Sequence, residues 1–590
     1  MNRNREYKDK VYKDAGVERG VAAKAMTVII ALILALVLTL TSCGSTAEAG
    51  SAGGVTSQTS TEASYNAASK SEMFTERDLS GDYDESEAET ITLSGSSIET
   101  SAKSGVSIDG STVTISAEGV YIVSGTLTDG QIIVDADDAA KVQIVLKGAS
   151  VTSSDSAALY VKSADKVFVT TAAGTENTLA NGGSFVADGD TNVDGAVFAK
   201  DDITFNGSGS LTIDSPAGHG VVGKDDVKIA GGTVTINAAN HGIQANDSVR
   251  VAEATLTVNA QTKDGIHVSD DADEEEGTES DSFFYMSDGS LSVSAGDDGI
   301  HADAEVLIEG GTIDVTNSYE GIEALSIKVS GGDIKAVASD DGFNAAGGNA
   351  SSGSQTFGSD DWGGRGGFSD GGTDGSIEIS GGTIYVQAGG DGLDSNGSVA
   401  ISGGYTVVCG PAQGDTSVID FNGEGTITGG TFIGTGGAGM AESFTSASQG
   451  LIAVSVGSQA AGSAVTLKDA AGSVIAEVTP ELDYAVVYVS TQDMAQGETY
   501  TLTAGTYSES ITLSDIMYST LNGGMGGSFG GGGPRGGMNG EMNGEMGGGM
   551  HGGMHRGGPG RGEAPDDITG ATQLDGESPD GTALNGDTQA

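Results

Sequence analysis

The sequence predicts an all-β protein whose body is a right-handed parallel β-helix with three short strands in each coil. A glycine followed by an apolar residue recurs along the chain, and most of these repeat glycines are 21–25 residues apart. The two longer gaps contain insertions, an acidic run at 270–281 and a Gly/Ser-rich stretch at 346–374. Such a fixed period is the mark of a repeat architecture. The repeat glycines are Gly195, Gly220, Gly242, Gly265, Gly299, Gly321, Gly342 and Gly392.

Within one repeat the apolar residues alternate with a period of two, which is typical of strands with one buried face. Three such short strands occupy residues 241–258, and turns that contain Gly, Asn or Asp separate them. Coils of this size can stack about 4.8 Å apart and bury their Ile, Val and Leu against each other. The chirality of parallel crossovers favours a right-handed helix. The repeat lacks the leucine-rich consensus, and a propeller blade would need about 40 residues.

The flanking segments have other compositions. Residues 1–42 combine a basic start with an apolar run, which predicts a signal peptide. Residues 43–84, rich in Ser, Thr, Ala and Gly, predict a flexible tether, and 85–435 form the β-helix. Longer strands at 436–520 predict a small C-terminal β cap or sandwich. The Gly/Met-rich and acidic residues 521–590 predict a disordered tail.

The end of the predicted signal peptide, Leu40-Thr41-Ser42-Cys43, resembles the bacterial lipobox. This resemblance implies cleavage before Cys43, a lipid on its sulfur, and an exported protein anchored on the extracellular face of the membrane. An uncleaved anchor is the alternative. The mature chain would then keep one further cysteine, Cys409, and could form no intramolecular disulfide.

Composition excludes several classes of protein. The chain has 590 residues, of which 98 are Gly, and 83 acidic against 26 basic residues give a net charge of −57. Collagen is excluded because glycine lacks a three-residue period. Nucleic acid is excluded as a partner because such a charge repels a polyanion, and the glycine-rich stretches lack a nucleotide-binding pattern. An acidic surface instead suits metal cations.

Several segments of the chain resemble the polysaccharide-lyase-like carbohydrate-binding family, typified by a clostridial cellulose- and pectin-binding protein. The resemblance lies in the Asp-Gly-Ile and Gly-Gly-Thr marks, in residues 157–167, and in residues 440–450 before the C-terminal module. It covers roughly residues 85–515. It implies a right-handed β-helix that binds polysaccharide, with cellulose-like or acidic pectin-like glycans as ligands, and that holds calcium.

Two columns of polar side chains are expected along the helix axis because equivalent positions stack. Calcium, which prefers six to eight oxygen ligands, is the expected bridge for stacked carboxylates, whereas a solvated acidic face is the alternative. The first column, beside the repeat glycines, predicts calcium ligands at Asp264, Asp297, Asp298, Glu320, Asp340, Asp341 and Asp391. The second, two residues after those glycines, predicts carbohydrate contacts at Gln244, His267, His301, Glu323, Asn344 and Asp394.

A calcium-dependent polysaccharide lyase is the alternative function. Such an enzyme would need calcium on a uronate carboxylate and a base to abstract the α-proton. Arg250 and Lys328 are the candidate bases, but together with Lys228 they recur at equivalent positions, which favours a binding or structural face. An adhesin or structural surface protein is the third possibility. The Met and His residues of the tail could bind Cu(I), with a low-complexity spacer as the simpler interpretation.

Overall fold

The computed structural model describes residues 70–269, 282–345, 375–411, 414 and 416–521, and these form a parallel β-helix as predicted. The predicted signal peptide, Cys43 and nearly all of the predicted tail lie outside the described residues. Each coil contributes strands to three sheets, which we call the first, second and third sheets in the order in which the chain enters them after a repeat glycine.

The first sheet begins at each repeat glycine, and its strands are paired in parallel except for the antiparallel pair at its start. Its strands are Val106–Asp109, Thr112–Ile115, Gln131–Asp135, Leu159–Ser163, Gly195–Ala199, His219–Gly223, Ile243–Ala245, Ile266–Val268, Ile300–Ile308, Ile322–Val329, Phe343–Ala345, Leu393–Ser395 and Ile419–Phe421.

The second sheet also contains the second halves of Ile300–Ile308 and Ile322–Val329, since these strands run across the corner between two sheets. Its other strands are Lys166–Thr171, Asp202–Gly207, Val227–Ile229, Ser248–Val251, Phe283–Met286, Ser376–Ile379, Ser398–Ile401, Gly425–Ile427 and Ser446–Ala447.

The third sheet completes each coil. Its parallel strands are Glu176–Asn181, Ser210–Ser215, Thr233–Ala238, Thr255–Ala260, Ser290–Ser294, Thr312–Asn317, Asp333–Val337, Thr383–Gln387, Tyr405–Cys409 and Thr431–Gly436. At the N-terminal end the second and third sheets share three long strands, Glu89–Gly95, Gly119–Leu127 and Lys141–Ser153, and the hairpin strand Ser97–Thr100 closes the edge.

Apolar side chains stack in columns inside the coils. Ile243, Ile266 and Ile300 occupy equivalent positions in successive coils and are fully buried. The same alternation continues on all three sheets, so one continuous core runs along the helix. This arrangement follows from the period-two pattern, because every second residue points inward.

The repeat glycines are required by close packing rather than by an unusual backbone angle. A Cβ on Gly242 would collide with the Val258 side chain and lie 2.6 Å from the carbonyl oxygen of Gly265. The second glycine of the Gly-Gly-Thr marks has a different role, since Gly232 and Gly311 have φ of +75° and +86°. At these positions the turn chemistry predicted from the sequence applies.

The first described residues, 70–84, form an N-terminal strap across the second sheet, although the sequence analysis placed them in the flexible tether. The strap contains two one-turn helices, Lys70–Met73 and Glu76–Leu79. Phe74 is buried against side chains from four successive coils, namely Ala230, Ala252, Tyr285 and Leu307.

Asp78 fixes the strap to the helix through buried polar contacts. Its carboxylate lies 2.7 Å from Lys166 Nζ and accepts a hydrogen bond from Thr204 at 2.7 Å. Burial opposes ionisation, but the contact with Lys166 outweighs it and lowers the pKa of Asp78 to about 2. The composition of the segment gave no sign of these contacts.

A C-terminal module covers the last coil. Thr431–Gly436 pairs antiparallel with Tyr484–Thr491, which also pairs with Leu451–Gln459, and Met517–Ser519 lies beside the latter. The module also contains a separate sheet of four antiparallel strands, which packs over its own apolar core and consists of Val465–Lys468, Val474–Val478, Thr499–Ala504 and Tyr507–Thr512.

Neither helix among the described residues exceeds four residues. The described part of the chain therefore has no helix able to span a bilayer.

Replacing Gly242 with Ala should destabilise the helix by about 1–3 kcal/mol, because the new methyl group has no space between two coils. The midpoint of urea unfolding measures this loss. Gly174→Asn is the control, since Gly174 has φ +69° with nothing near its Cβ position and Asn tolerates that conformation. Equal shifts for both variants would contradict the packing argument.

Candidate functional site

The structure aligns all six predicted carbohydrate contacts in one column on the outside of the first sheet. We call it the outer column, and the strand register pairs each member with the next. In chain order it contains Gln244, His267, His301, Glu323, Asn344, Asp394 and, one coil further, Asp420. Sequence analysis missed Asp420 because its strand follows Val418 rather than a repeat glycine.

A second column, the acid column, lies beside it and contains Asp264, Asp298, Glu320, Asp341 and Asp391. Its carboxylates cap backbone groups of the following coil. Asp264 accepts a hydrogen bond from the N–H of Asp298 at 3.1 Å, and Asp298 accepts one from Glu320 at 3.1 Å. Asp341 accepts one from Asp391 at 2.6 Å. The column therefore links neighbouring coils as well as carrying charge.

From Asp298 onwards, burial and mutual repulsion make the carboxyl groups of the acid column hard to ionise. Asp298 and Glu320 are 6% and 8% exposed. Burial, together with neighbouring carboxylates, raises the pKa of Asp298 to about 7 and that of Glu320 to about 9. The same causes raise the pKa of Asp341 and Asp391 to about 7. In this region protons or a cation must neutralise the carboxyl groups.

The acidic region extends beyond the predicted residues. Burial, then the charges of Asp341 and Asp420, raises the pKa of Asp394 to about 7. Burial and Asp420 do the same for Glu442, which belongs to the segment after the last coil. Nothing in the repeat pattern pointed to Glu442, because it lies outside the period.

Four histidines form a continuous stack on the same face, with neighbouring ring centroids 4.4–5.1 Å apart and interplanar angles of 13–23°. We call His219, His241, His267 and His301 the imidazole stack. The first two precede a repeat glycine and the last two follow one. Burial lowers the pKa of His219 to about 3 and also lowers that of His241, so both are neutral near pH 7.

His301 differs because carboxylates surround it. Its Nδ1 lies 2.6 Å from Glu323 and 3.7 Å from Asp298, and its Nε2 lies 3.2 Å from Asp303. Burial favours the neutral ring, but these contacts outweigh it and raise the pKa of His301 well above its usual range. Sequence analysis expected His301, Glu323 and Asn344 to contact sugar, whereas the structure buries all three. Their polar groups contact other side chains instead.

The predicted calcium ligands are only partly brought together. Asp264, Asp297 and Asp298 each place one carboxylate oxygen within 4.8 Å of the others. The described residues form no such group of three that contains Glu320, Asp340, Asp341 or Asp391. Further along the outer column, Asn344 donates to Glu320 at 2.8 Å, while its buried Oδ1 has no hydrogen-bond partner among the described residues.

A cleft of about 510 Å³ opens at the Gln244 end of the outer column. Lys200 and Lys224 line it together with Asp194 and the loop at 190–192, and Phe198 and Val222 form its floor. Lys200 donates to Thr191 at 2.9 Å, which holds the lysine at the rim. The ammonium groups of Lys200 and Lys224 thus lie on the same face as the outer column, although the protein as a whole is strongly acidic. Sequence analysis did not identify either lysine.

The two candidate bases lie on the second sheet, not beside the outer column. Arg250 contacts Asp226 at 3.0 Å and donates to the carbonyl of Met73 in the N-terminal strap at 3.0 Å. Lys328 pairs with Glu305. Arg250 and Lys328 therefore do not lie along the outer column, because they belong to the second sheet and not to the first. Their recurrence in sequence reflects ion pairs on the second sheet.

Comparison with known proteins supports the predicted resemblance. Residues 109–361 match the model of a family described as carbohydrate-binding domain-containing protein. A protein of that description from Acetivibrio thermocellus is 36% identical over 136 residues, which are 23% of this chain and 48% of the relative. The chain thus spans about half the length of that curated relative. These two matches confirm the predicted resemblance to a carbohydrate-binding family.

Among solved structures, the chain is similar to one titled "Structure of the polysaccharide lyase-like protein from C. thermocellum, Gadolinium derivative". The sequence identity is 28%, and the match covers 42% of this chain and 93% of the other, with a TM-score of 0.36.

In a chelating buffer, stability should fall as the pH rises from 5 to 8. Carboxyl groups with raised pKa keep protons in the folded state that the unfolded chain has already released, so the folded state binds more protons in this interval. The raised pKa of His301 likewise makes stability fall as the pH rises. The lowered pKa values of His219 and His241 have the opposite effect near pH 6.5, but these two groups are fewer than the carboxyl groups with raised pKa. Urea unfolding at both pH values measures the difference.

Asp394→Asn should reduce this pH dependence by more than about 1.4 kcal/mol, the equivalent of one pKa unit. Asn is compatible with the column, since Asn344 occupies the equivalent position one coil earlier. Asp109→Asn in the exposed N-terminal hairpin is the control and should change nothing. A stability that rises between pH 5 and 8 would contradict the assignment.

Proposed function

We propose that this chain is an exported lipoprotein that binds polysaccharide along the first sheet, with the cleft at Gln244 as its main contact. The observation that carries the proposal is the outer column, whose half-exposed members on both sides of its buried centre can form hydrogen bonds with a ligand, namely Gln244, His267, Asp394 and Asp420. A polysaccharide is also a linear repeat, and its sugar spacing is close to the coil spacing of about 4.8 Å. Many modest contacts in register then provide the affinity.

The match of residues 109–361 to a carbohydrate-binding family supports this proposal, since that range contains the cleft and most of the outer column. Anchoring at the membrane through Cys43 rests on the lipobox-like sequence alone.

Acidic glycans are the ligand class that the cleft fits best. A net charge of −57 repels uronate carboxylates over most of the surface, so an acidic chain needs local cations. Lys200 and Lys224 provide them at the cleft, and the side-chain amide of Gln244 can bind hydroxyl groups. The centre of the outer column, from His301 to Asn344, is buried and therefore does not touch the ligand.

Calcium is the cation that we propose for the carboxylates of Asp264, Asp297 and Asp298. Three carboxylates so close together suit a hard ion that takes oxygen ligands. Burial, then the charge of Asp264, raises the pKa of Asp297, as expected for an acid that lacks a counter-ion. When bound, the ion would offset the repulsion between the coils that contribute these residues.

Reversing the charge of Lys200 and Lys224 with a Lys200→Glu/Lys224→Glu variant should weaken binding to polygalacturonate at least about tenfold, equivalent to 1.4 kcal/mol. Binding to cellulose should change much less, because a neutral glycan does not depend on these cations. Affinity electrophoresis in gels containing each glycan measures both effects.

Lys335→Glu is the matched control for this experiment, because Lys335 is exposed on the third sheet, away from the cleft. If Lys335→Glu weakened polygalacturonate binding as much per charge as the double variant, the interaction would depend on overall charge. Unchanged binding of the double variant would place the glycan site elsewhere.

Calcium should raise the unfolding temperature of the chelated protein at pH 8. An ion present at 100 times its Kd adds about 2.7 kcal/mol to the unfolding free energy. Asp297→Asn should remove most of this response, since it replaces one ligand of the group, whereas Asp109→Asn should retain it. Identical melting curves with calcium and with chelator would exclude a calcium site.

A further inference from the structure

We propose that His241, Asp264 and His267 bind one divalent transition-metal ion of the Zn²⁺ class. The sequence gave no reason to expect this site, because the two histidines occupy different positions of the repeat. Because two successive coils stack, both histidines lie beside the carboxylate of Asp264.

The three side chains present a compact set of ligand atoms. Asp264 Oδ2 lies 3.3 Å from His241 Nδ1 and 2.6 Å from His267 Nδ1. All three ligand atoms lie within 4.8 Å of one another. Zinc bonds of about 2.0–2.2 Å in tetrahedral geometry require ligand atoms roughly 3.3 Å apart. The ligand atoms of Asp264 and His267, 2.6 Å apart, must separate slightly to admit an ion.

The surrounding contacts hold each ligand in place. The Nε2 of His267 lies 3.0 Å from Ser269 Oγ, so the hydroxyl group can fix the tautomer that leaves Nδ1 for the metal. Asp264 Oδ1 accepts a hydrogen bond from the backbone N–H of Asp298, which leaves Oδ2 directed at the two histidines. Ring stacking at 4.4 Å restrains His241 against His267.

The protonation states also suit a metal. Burial lowers the pKa of His241, and its Nδ1 accepts a long hydrogen bond of 3.2 Å from the N–H of Asp264, so the ligand atom carries no proton. The ion replaces the long hydrogen bond at His241.

The donor set selects against calcium. Two imidazole nitrogens and one carboxylate suit zinc, copper, nickel or iron, whereas calcium takes oxygen ligands. This site therefore differs from the proposed calcium group, although both use Asp264. His267 belongs only to the transition-metal site and Asp297 only to the calcium group, so variants of these two residues separate the proposals.

Isothermal titration of Zn²⁺ into the metal-free mature chain tests the proposal. Every sample carries His551→Ala and His555→Ala, so that the histidines of the tail do not contribute. We expect one bound ion per chain. His267→Gln should weaken its binding at least about 100-fold, and Gln is compatible with this position because Gln244 occupies it one coil earlier. Ser269→Ala should weaken binding about tenfold or more.

His219→Gln is the matched control, since His219 belongs to the imidazole stack but not to the ligand set, and it should bind Zn²⁺ like the parent protein. His241→Asn provides a second ligand variant if His267→Gln does not fold, as judged by circular dichroism. Unchanged Zn²⁺ affinity in the ligand variants would overturn the proposal. So would displacement of Zn²⁺ by millimolar calcium, or an equal loss in Asp297→Asn.

Discussion

The close stacking of successive coils is the constraint on which the rest of this structure depends. Parallel strands pair about 4.8 Å apart, so every side chain has a neighbour of the same position above and below it. Inside the helix this builds the Ile243 column, and at the corner it excludes a Cβ from Gly242. On the outer face of the first sheet, the same spacing aligns carboxylates and imidazoles in columns. The buried core and the chemistry of the surface therefore have one cause.

Stacking also divides the first sheet into two chemically different ends. Near His219 and His241 the stacked rings are neutral, and the cleft next to them carries Lys200 and Lys224. Towards Asp394 the column is made of carboxyl groups that resist ionisation. The salt bridge of His301 with Glu323 lies where these two ends meet. A bound polymer that followed the column would thus pass from a cationic region to an acidic one.

Much of the fold was predictable because it depends on a short period. The alternation around Ile243 and the repeat glycines define strands, register and the outer column without further information. The imidazole stack was not predictable, since His241 and His267 differ in repeat position and meet only because the corner turns one side chain towards the other. The role of Arg250 was not predictable for the opposite reason, because a regular repeat position does not reveal which sheet binds a ligand. The strap was missed because Phe74 and Asp78 are isolated in a polar segment.

The N-terminal strap has a consequence for the order of events during folding. Phe74 leaves the ribosome early, but its binding surface is built from Ala230, Ala252, Tyr285 and Leu307, which follow more than 150 residues later. Closing so long a loop before the coils exist has an entropic cost and no compensating contact. The strap can therefore bind only after those coils have formed. Its docking marks the completion of the central solenoid, and until then the strap has no surface to bind.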